Sequence, residues 1–258
     1  MRVILAVMLL CISHNALAFA KTGHQLVCKM AYQLVSIHTR AQLDSMLKPA
    51  PYQQFANACS WPDEVREQLE FNWSVPHHYV NMARGDTAVS LQSCPAQGCI
   101  LTAINDMQQR LQQDTTDWQA LLFLAHHIAD LHQPLHVGFA DDLGGNRSAV
   151  YFFGLPTNLH GVWDFALLKQ LGYETAPGKA CGLLRQITTA QQQQWQQGDL
   201  ISWANESAAV TIDIYQDYKP GMLLDEHYVA KYQPVIEQRL QQAAVRLAML
   251  LDQLLAAN

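Results

Sequence analysis

Basic residues are scarce in this sequence: 16 Lys and Arg stand against 22 Asp and Glu, and charged residues fill only 15% of the 258 positions. That balance excludes a simple basic surface holding nucleic acid through phosphate contacts alone. An acidic protein still binds phosphates where metal ions supply the positive charge. Long apolar runs are missing too. Beyond the N-terminus no segment has the roughly 20 uninterrupted apolar residues of a membrane-spanning helix. There is no C-x-x-C spacing, no internal repeat and no convincing linker. Half of the chain is apolar, enough for one substantial core, and neither disordered nor fibrous chains have this composition.

What is present begins with "MRVILAVMLLCISHNALAFA", which has Arg2, an apolar run from Val3 to Ile12, and small residues at Ala16 and Ala18. This pattern predicts an export signal over 1–18, cut after Ala18, with a mature chain over 19–258. The mature chain has 15 basic against 22 acidic residues, a formal charge of −7. Five cysteines follow the cut: Cys28, Cys59, Cys94, Cys99 and Cys181. Cys94 and Cys99 bracket a tight polar loop with Pro and Gly, and an exported protein meets oxidant, so this pair is expected to form a disulfide. The other three cannot all pair with one another. At least one is expected to be a buried thiol, with zinc binding the rival reading.

Apolar residues recur at spacings of three and four over 24–36, 100–113, 118–133, 160–171, 180–195, 199–217 and 226–256. The best strand signal is "AVYFFG" at 149–154, which reads either as part of a short hairpin or as a loop. The Gln-rich run at 190–199 fits a solvated helix end better than a linker. The expected fold is therefore all-α, a single multi-helix domain with at most a short β-hairpin.

The stretch "FLAHHIADLHQPLH", residues 123–136, carries four histidines and one aspartate. On a helix, His126 and Asp130 lie one turn apart on the same face. Pro134 ends or kinks that helix, so His136 can turn back toward the same centre. His127 and His132 point elsewhere and read as ordinary helix residues or as side chains packed behind the ligands. The pattern recurs in "NLHGVWDF", where His160 and Asp164 are again four apart. A single such pair is as well explained by a surface hydrogen bond. Two pairs plus His136 offer more ligands than the three or four that one tetrahedral zinc takes.

Further segments run in an order that matters. Gly23 and His24 follow Phe19; then come W-x-D-x-x-R (Trp61, Asp63, Arg66), His78-Tyr79, the C-x4-C loop, and H-x3-D-x5-H with Gln-Pro-Leu-His. G-G-N at 144–146, N-L-H-x-x-W-D at 158–164 and W-A-x-E-S at 203–207 complete the series. In these residues the chain resembles the zinc-dependent single-strand-specific nucleases of fungi and plants, which are also 3′-nucleotidases. They belong to the superfamily that includes zinc-dependent phospholipase C.

The resemblance implies three Zn²⁺ ions. The first would be held by Asp63, His78, His126 and Asp130; the second by His136, His160 and Asp164; the third by His24, Asp130 and the terminal amine and carbonyl of Phe19. Only a chain cut before Phe19 offers that amine. The family usually begins with Trp there, but backbone atoms are the ligands and a smaller ring is compatible. It further implies cleavage of single-stranded DNA or RNA to 5′-phosphates, with release of phosphate from 3′-nucleotides. Asp63, Arg66 and Asp130 fall at the catalytic centre. For Arg66, charge neutralisation at the phosphate competes with a helix-surface ion pair. Tyr79 and Leu143 match positions that sandwich a base, and read otherwise as core residues. Asn81 stands where fungal enzymes have Asp at the base-reading position. Asn146 reads equally as a phosphate contact or a turn former. Phospholipase C is the alternative, disfavoured by Asp164, G-G-N and W-A-x-E-S. Zinc storage is another, which predicts closed coordination shells. The protein is expected to be secreted or periplasmic and monomeric, with no membrane partner.

Overall fold

The computed structural model describes residues 20–175 and 178–255. Helices dominate. The first four are α1 (Ala20–Leu34), α2 (Ile37–Met46), α3 (Phe55–Ala58) and α4 (Trp61–Val65). Then come α5 (Ile100–Gln113), α6 (Trp118–Leu131), α7 (Leu159–Gly161) and α8 (Leu167–Gln170), the last two joined by a π-helical turn over Val162–Ala166. The chain closes with α9 (Lys179–Gln186), α10 (Thr189–Trp195), α11 (Leu200–Gln216) and α12 (Glu226–Leu255). The helical expectation holds, and among the described residues the strands form one small sheet. Its hairpin, β1 (Ala149–Phe152) and β2 (Leu155–Asn158), is antiparallel, and a two-residue strand β3 (Leu223–Leu224) joins β1 in parallel. That third strand was not expected from the sequence, because two residues carry no readable alternation.

Helix α6 is the axis of the molecule. Every residue from Ala120 to Leu131 is buried, so the helix has no solvent face, and its neighbours α1, α5, α11 and α12 surround it. Such a helix must be apolar all round unless its polar groups are matched to something. Asp117 caps its start by accepting from the amide of Ala120, a cap of about 1 kcal/mol. The expected helix over 180–195 is two helices, α9 and α10. Thr188 caps the second in a box with Gln191, and that local hydrogen bonding breaks the first.

Two disulfides are present, Cys28–Cys59 and the expected Cys94–Cys99. Cys181 is the remaining thiol among the described residues, and it is half-buried rather than fully buried because α9 lies near the surface. No helix among the described residues is long and apolar enough to cross a membrane. Phe19 and the expected signal segment 1–18 lie outside the described residues.

Candidate active site

The site begins at the C-terminal end of α6. His126 and Asp130, one turn apart, approach to 3.1 Å between Nε2 and Oδ2. Pro134 opens a 3₁₀ turn, Pro134–Val137, and that turn brings His136 back to 3.5 Å from Asp130 Oδ1. His24 reaches Asp130 Oδ1 from α1 at 3.4 Å and stacks on His126 with ring centres 3.8 Å apart. Asp63 arrives from α4, 3.7 Å from His126 Nε2 and 3.8 Å from His78 Nδ1. His78, at the end of the 3₁₀ turn Asn72–His78, places Nδ1 2.9 Å from Asp130 Oδ2. On the other side, His160 and Asp164 face each other at 3.1 Å across the α7 and π-helical turn, and His136 lies 3.5 Å from Asp164.

Eight of the expected ligand residues therefore share one buried cluster, and the ninth, Phe19, lies outside the described residues. Three sets have ligand atoms within 4.8 Å of one another: His24, His126 and Asp130; Asp63, His78 and His126; His136, His160 and Asp164. The carboxylate of Asp130 sits between groups, Oδ2 toward His78 and His126, Oδ1 toward His24 and His136.

Backbone carbonyls set the imidazole orientation. The Nδ1 atoms of His126, His136 and His160 lie 2.9, 2.6 and 2.8 Å from the carbonyls of Cys59, His78 and Gly144. Donation of Nδ1–H to these oxygens leaves each Nε2 lone pair aimed into the cluster, the arrangement that metal-binding histidines use. His136 Nε2 and Asp130 Oδ1 are buried without a hydrogen-bond partner, which is costly unless a cation or water meets them. The donor set, neutral imidazoles with three carboxylates, suits zinc-like cations.

Charge is correspondingly strained. Burial opposes ionisation of Asp130, but His126 and His136 outweigh it and hold its carboxyl well below the usual range. Burial likewise opposes a charged His136, yet Asp130 and Asp164 push its pKa up to about 9. Asp63 moves the other way, raised mainly by burial.

A cleft of about 420 Å³ opens onto this cluster. Arg66, Tyr79, Asn81, Leu143 and Asn146 all line it. Tyr79 and Leu143 are 41% and 49% exposed, so neither is a core residue. Leu143 has φ 56°, a left-handed backbone that costs a leucine about 1 kcal/mol or more and projects its side chain over the cleft. Next to it only glycine fits: a Cβ on Gly144 would lie 2.5 Å from the carbonyl oxygen of Leu135. Asn146 closes the turn through Nδ2 to the Leu143 carbonyl, its turn-forming reading, and also lines the cleft. Arg66 makes the ion pair, to Asp63 at 3.3 Å, and it too lines the cleft.

Other residues of the site escaped the sequence reading. Gln133 donates to Asp164 Oδ1 at 2.6 Å and so fixes a ligand-bearing carboxylate; its place within Gln-Pro-Leu-His was the available signal. Asp142 accepts from the Gly145 amide, Ser148 and Tyr215, anchoring the loop of Leu143. Nothing in its local sequence marks it. His127, whose sequence reading left open a place behind the ligands, is buried between Phe123 and His78.

Comparison with known proteins agrees with this geometry. Residues 19–256 match the S1/P1 Nuclease family model. Endonuclease 4 of Arabidopsis thaliana is 30% identical over 277 residues, covering 95% of this chain and 92% of that protein. Nuclease P1 of Penicillium citrinum is 28% identical, covering 83% of this chain and 88% of the relative. Nuclease S1 of Aspergillus oryzae is 28% identical, with 89% of each chain covered. An all-but-complete family match and a buried His/Asp cluster beneath an open cleft lead to one conclusion: this chain belongs to the S1/P1 nuclease family and is a hydrolase of phosphodiester bonds.

Proposed function

We propose that the protein is an exported, zinc-dependent endonuclease that cuts single-stranded DNA and RNA to 5′-phosphate products and also releases phosphate from 3′-nucleotides. The observation that carries this reading is the cleft itself, which Tyr79 and Leu143 line together with His78, His136 and His160 of the His/Asp cluster.

Asp63, His78, His126 and Asp130 would hold one zinc, His136, His160 and Asp164 a second, and His24, Asp130 and the Phe19 terminus a third. Zinc ions bound there supply Lewis acidity, which acidifies water and offsets phosphate charge. The chain's own residues do the rest. Tyr79 and Leu143 take a base between them, which a duplex keeps stacked inside, so single strands are preferred. Asn81 presents both a donor and an acceptor to that base. Arg66, steadied by Asp63, places a planar guanidinium beside the phosphate as charge develops on its oxygens. Gln133 holds Asp164, and the carbonyls of Cys59, His78 and Gly144 hold three imidazoles, so the cluster is organised before substrate arrives.

Two disulfides suit a protein that folds in oxidising surroundings, which supports the signal over 1–18 and a secreted or periplasmic enzyme, proposed to act as a monomer. The family match favours a nuclease over phospholipase C, and an open cleft over the ligands favours catalysis over zinc storage.

The test is to incubate the zinc-loaded chain beginning at Phe19 with a single-stranded oligonucleotide and its duplex, and to map the product ends. Chelator-sensitive cutting of the single strand to 5′-phosphates is expected. A three-zinc protein that leaves the oligonucleotide intact but cleaves a choline phospholipid would overturn the reading. Equal activity of a chain with extra residues before Phe19 would remove the terminal amine from the site.

A further inference from the structure

We infer that the Cys28–Cys59 disulfide is a redox-dependent brace of the metal centre, so that zinc affinity in this chain is coupled to disulfide formation. The inference rests on the zinc reading above and extends it to how the centre is assembled.

Both half-cystines stand next to ligand residues. Cys28 lies one helical turn after His24 on α1, so the two side chains share a face. Cys59 ends α3, four residues before Asp63. Its carbonyl oxygen is the acceptor 2.9 Å from His126 Nδ1. One covalent bond therefore ties the helix of His24 to the backbone that orients His126 and leads into Asp63. Both sulfurs are fully buried, and the bond spans 31 residues of sequence. The remaining links between α1 and α3 include an exposed hydrogen bond from Gln25 to Asn57 at 3.3 Å, a weak substitute.

His136, His160 and Asp164 do not depend on this brace. Their supports are the carbonyls of His78 and Gly144 and the amide of Gln133. The molecule thus contains its own control: one ligand set beyond the brace and two that it holds.

Brace formation is an ordinary thiol–disulfide exchange. The Cys28 and Cys59 thiols give up two protons and two electrons to a disulfide-bearing partner, which leaves as a dithiol. Before that step His24, Asp63 and the Cys59 carbonyl are joined only through non-covalent packing, and zinc is held weakly. A chain still in a reducing compartment would be a poor nuclease for that reason.

The experiment measures zinc binding in metal-buffered solution, for the mature wild type, a Cys28→Ala/Cys59→Ala variant and a Cys94→Ala/Cys99→Ala control. Loss of supports around metal ligands costs about 10–100-fold in affinity. Two of three ions should bind more weakly by about that factor in the first variant, and the third should be unchanged. Adding His160→Ala should abolish the unchanged one. The control should match wild type. A general loss of stability would weaken all three ions together, and that result overturns the proposal, as does a variant with three unchanged affinities. A wild type that takes up no zinc sinks the metal reading along with it.

Should the variant fail to fold, wild-type protein answers through linkage, because coupling is reciprocal. In glutathione buffers at fixed free zinc, saturation with zinc should shift the Cys28–Cys59 dithiol–disulfide equilibrium toward the disulfide by about 10-fold or more. Cys94–Cys99 should not shift. Equal equilibria with and without zinc overturn the brace.

Discussion

Two buried polar clusters adjoin the end of α6, and they are built on opposite rules. On one side, His78, His126, Asp130 and His136 face a shared space, with Asp130 Oδ1, His78 Nε2 and His136 Nε2 lacking hydrogen-bond partners. On the other side, His132, two residues past Asp130, enters a network with Arg239, Arg246 and Glu206. There every guanidinium nitrogen is matched. Arg246 donates to the Trp195 carbonyl, to His132 Nε2 and to both Glu206 oxygens; Arg239 donates to Glu206, Gln242, Ser207 and the carbonyls of His132 and Trp203. The difference separates function from structure. A closed network needs nothing more, whereas a cluster with unmatched atoms is arranged for something that is added.

The largest effect should come from breaking the open cluster at the atom pair its groups share. Asp130→Asn removes the negative charge between His24, His78, His126 and His136. Single-strand cleavage should fall about a thousandfold or more, on the order of 4 kcal/mol of transition-state stabilisation. The rise in melting temperature on adding zinc should shrink with it. Wild-type kinetics in the variant would show that the unmatched atoms of Asp130 have no catalytic purpose.

The closed network should respond in the opposite way, through stability and not activity. Glu206→Gln leaves two buried arginines short of one negative charge. Breaking a buried pair costs about 3–5 kcal/mol, and the lower figure applies because the Glu206 side chain is 40% exposed. Thermal unfolding should shift by that amount with and without chelator, while zinc affinity stays at the wild-type value. A changed affinity would mean that the two clusters communicate.

The same glutamate gives a pH test. Burial works against its charge, but Arg246 and Arg239 outweigh burial and hold its carboxyl below the ordinary value of about 4.3. A pKa depressed by folding means that the unfolded chain takes up the proton more readily. The stabilisation is complete above the ordinary value and is lost as pH falls through the folded one. The gap in melting temperature between wild type and Glu206→Gln should therefore be widest above the ordinary value of about 4.3 and narrow as pH falls below it. A gap that widened on acidification would contradict the assignment.

How much of this was legible in the sequence follows from the range of each interaction. The pairs His126–Asp130 and His160–Asp164 are one helical turn apart, so spacing alone put each pair on one face. Pro134 announced the return of His136. The long helices were readable from apolar periodicity, but α3 and α4 were not, since four or five residues show no period. Within the expected helix over 199–217, the segment Trp203 to Ser207 stood out only as a family signature. Its purpose depends on Arg239 and Arg246, more than 30 residues away, and no local pattern contains that pairing. Cys28 with Cys59 was missed for the same reason: elimination left three candidates, and only the packing of α1 on α3 chooses between them.

The smallest expected effect sharpens the comparison at the cleft, where a residue touches neither cluster. Asn81 lines the cavity beside Tyr79, in a segment that runs along 136–140: the Val80 and Met82 amides donate to the His136 and Gly138 carbonyls at 2.9 and 2.7 Å. That backbone pairing fixes where Asn81 points without using its side chain. Exchange of the amide for a carboxylate, Asn81→Asp, keeps the shape but replaces a donor with an acceptor. Base preference should shift by about 10-fold, or about 1.4 kcal/mol, toward bases that donate to the carboxylate. Melting temperature and zinc affinity should not move, because the half-exposed side chain holds nothing in place. Competition between single-stranded oligonucleotides that differ at one base reads the shift directly. An unchanged preference would transfer base selection to Tyr79, Leu143 and the loop that Asp142 anchors, and would make the cleft a stacking platform without a polar reader.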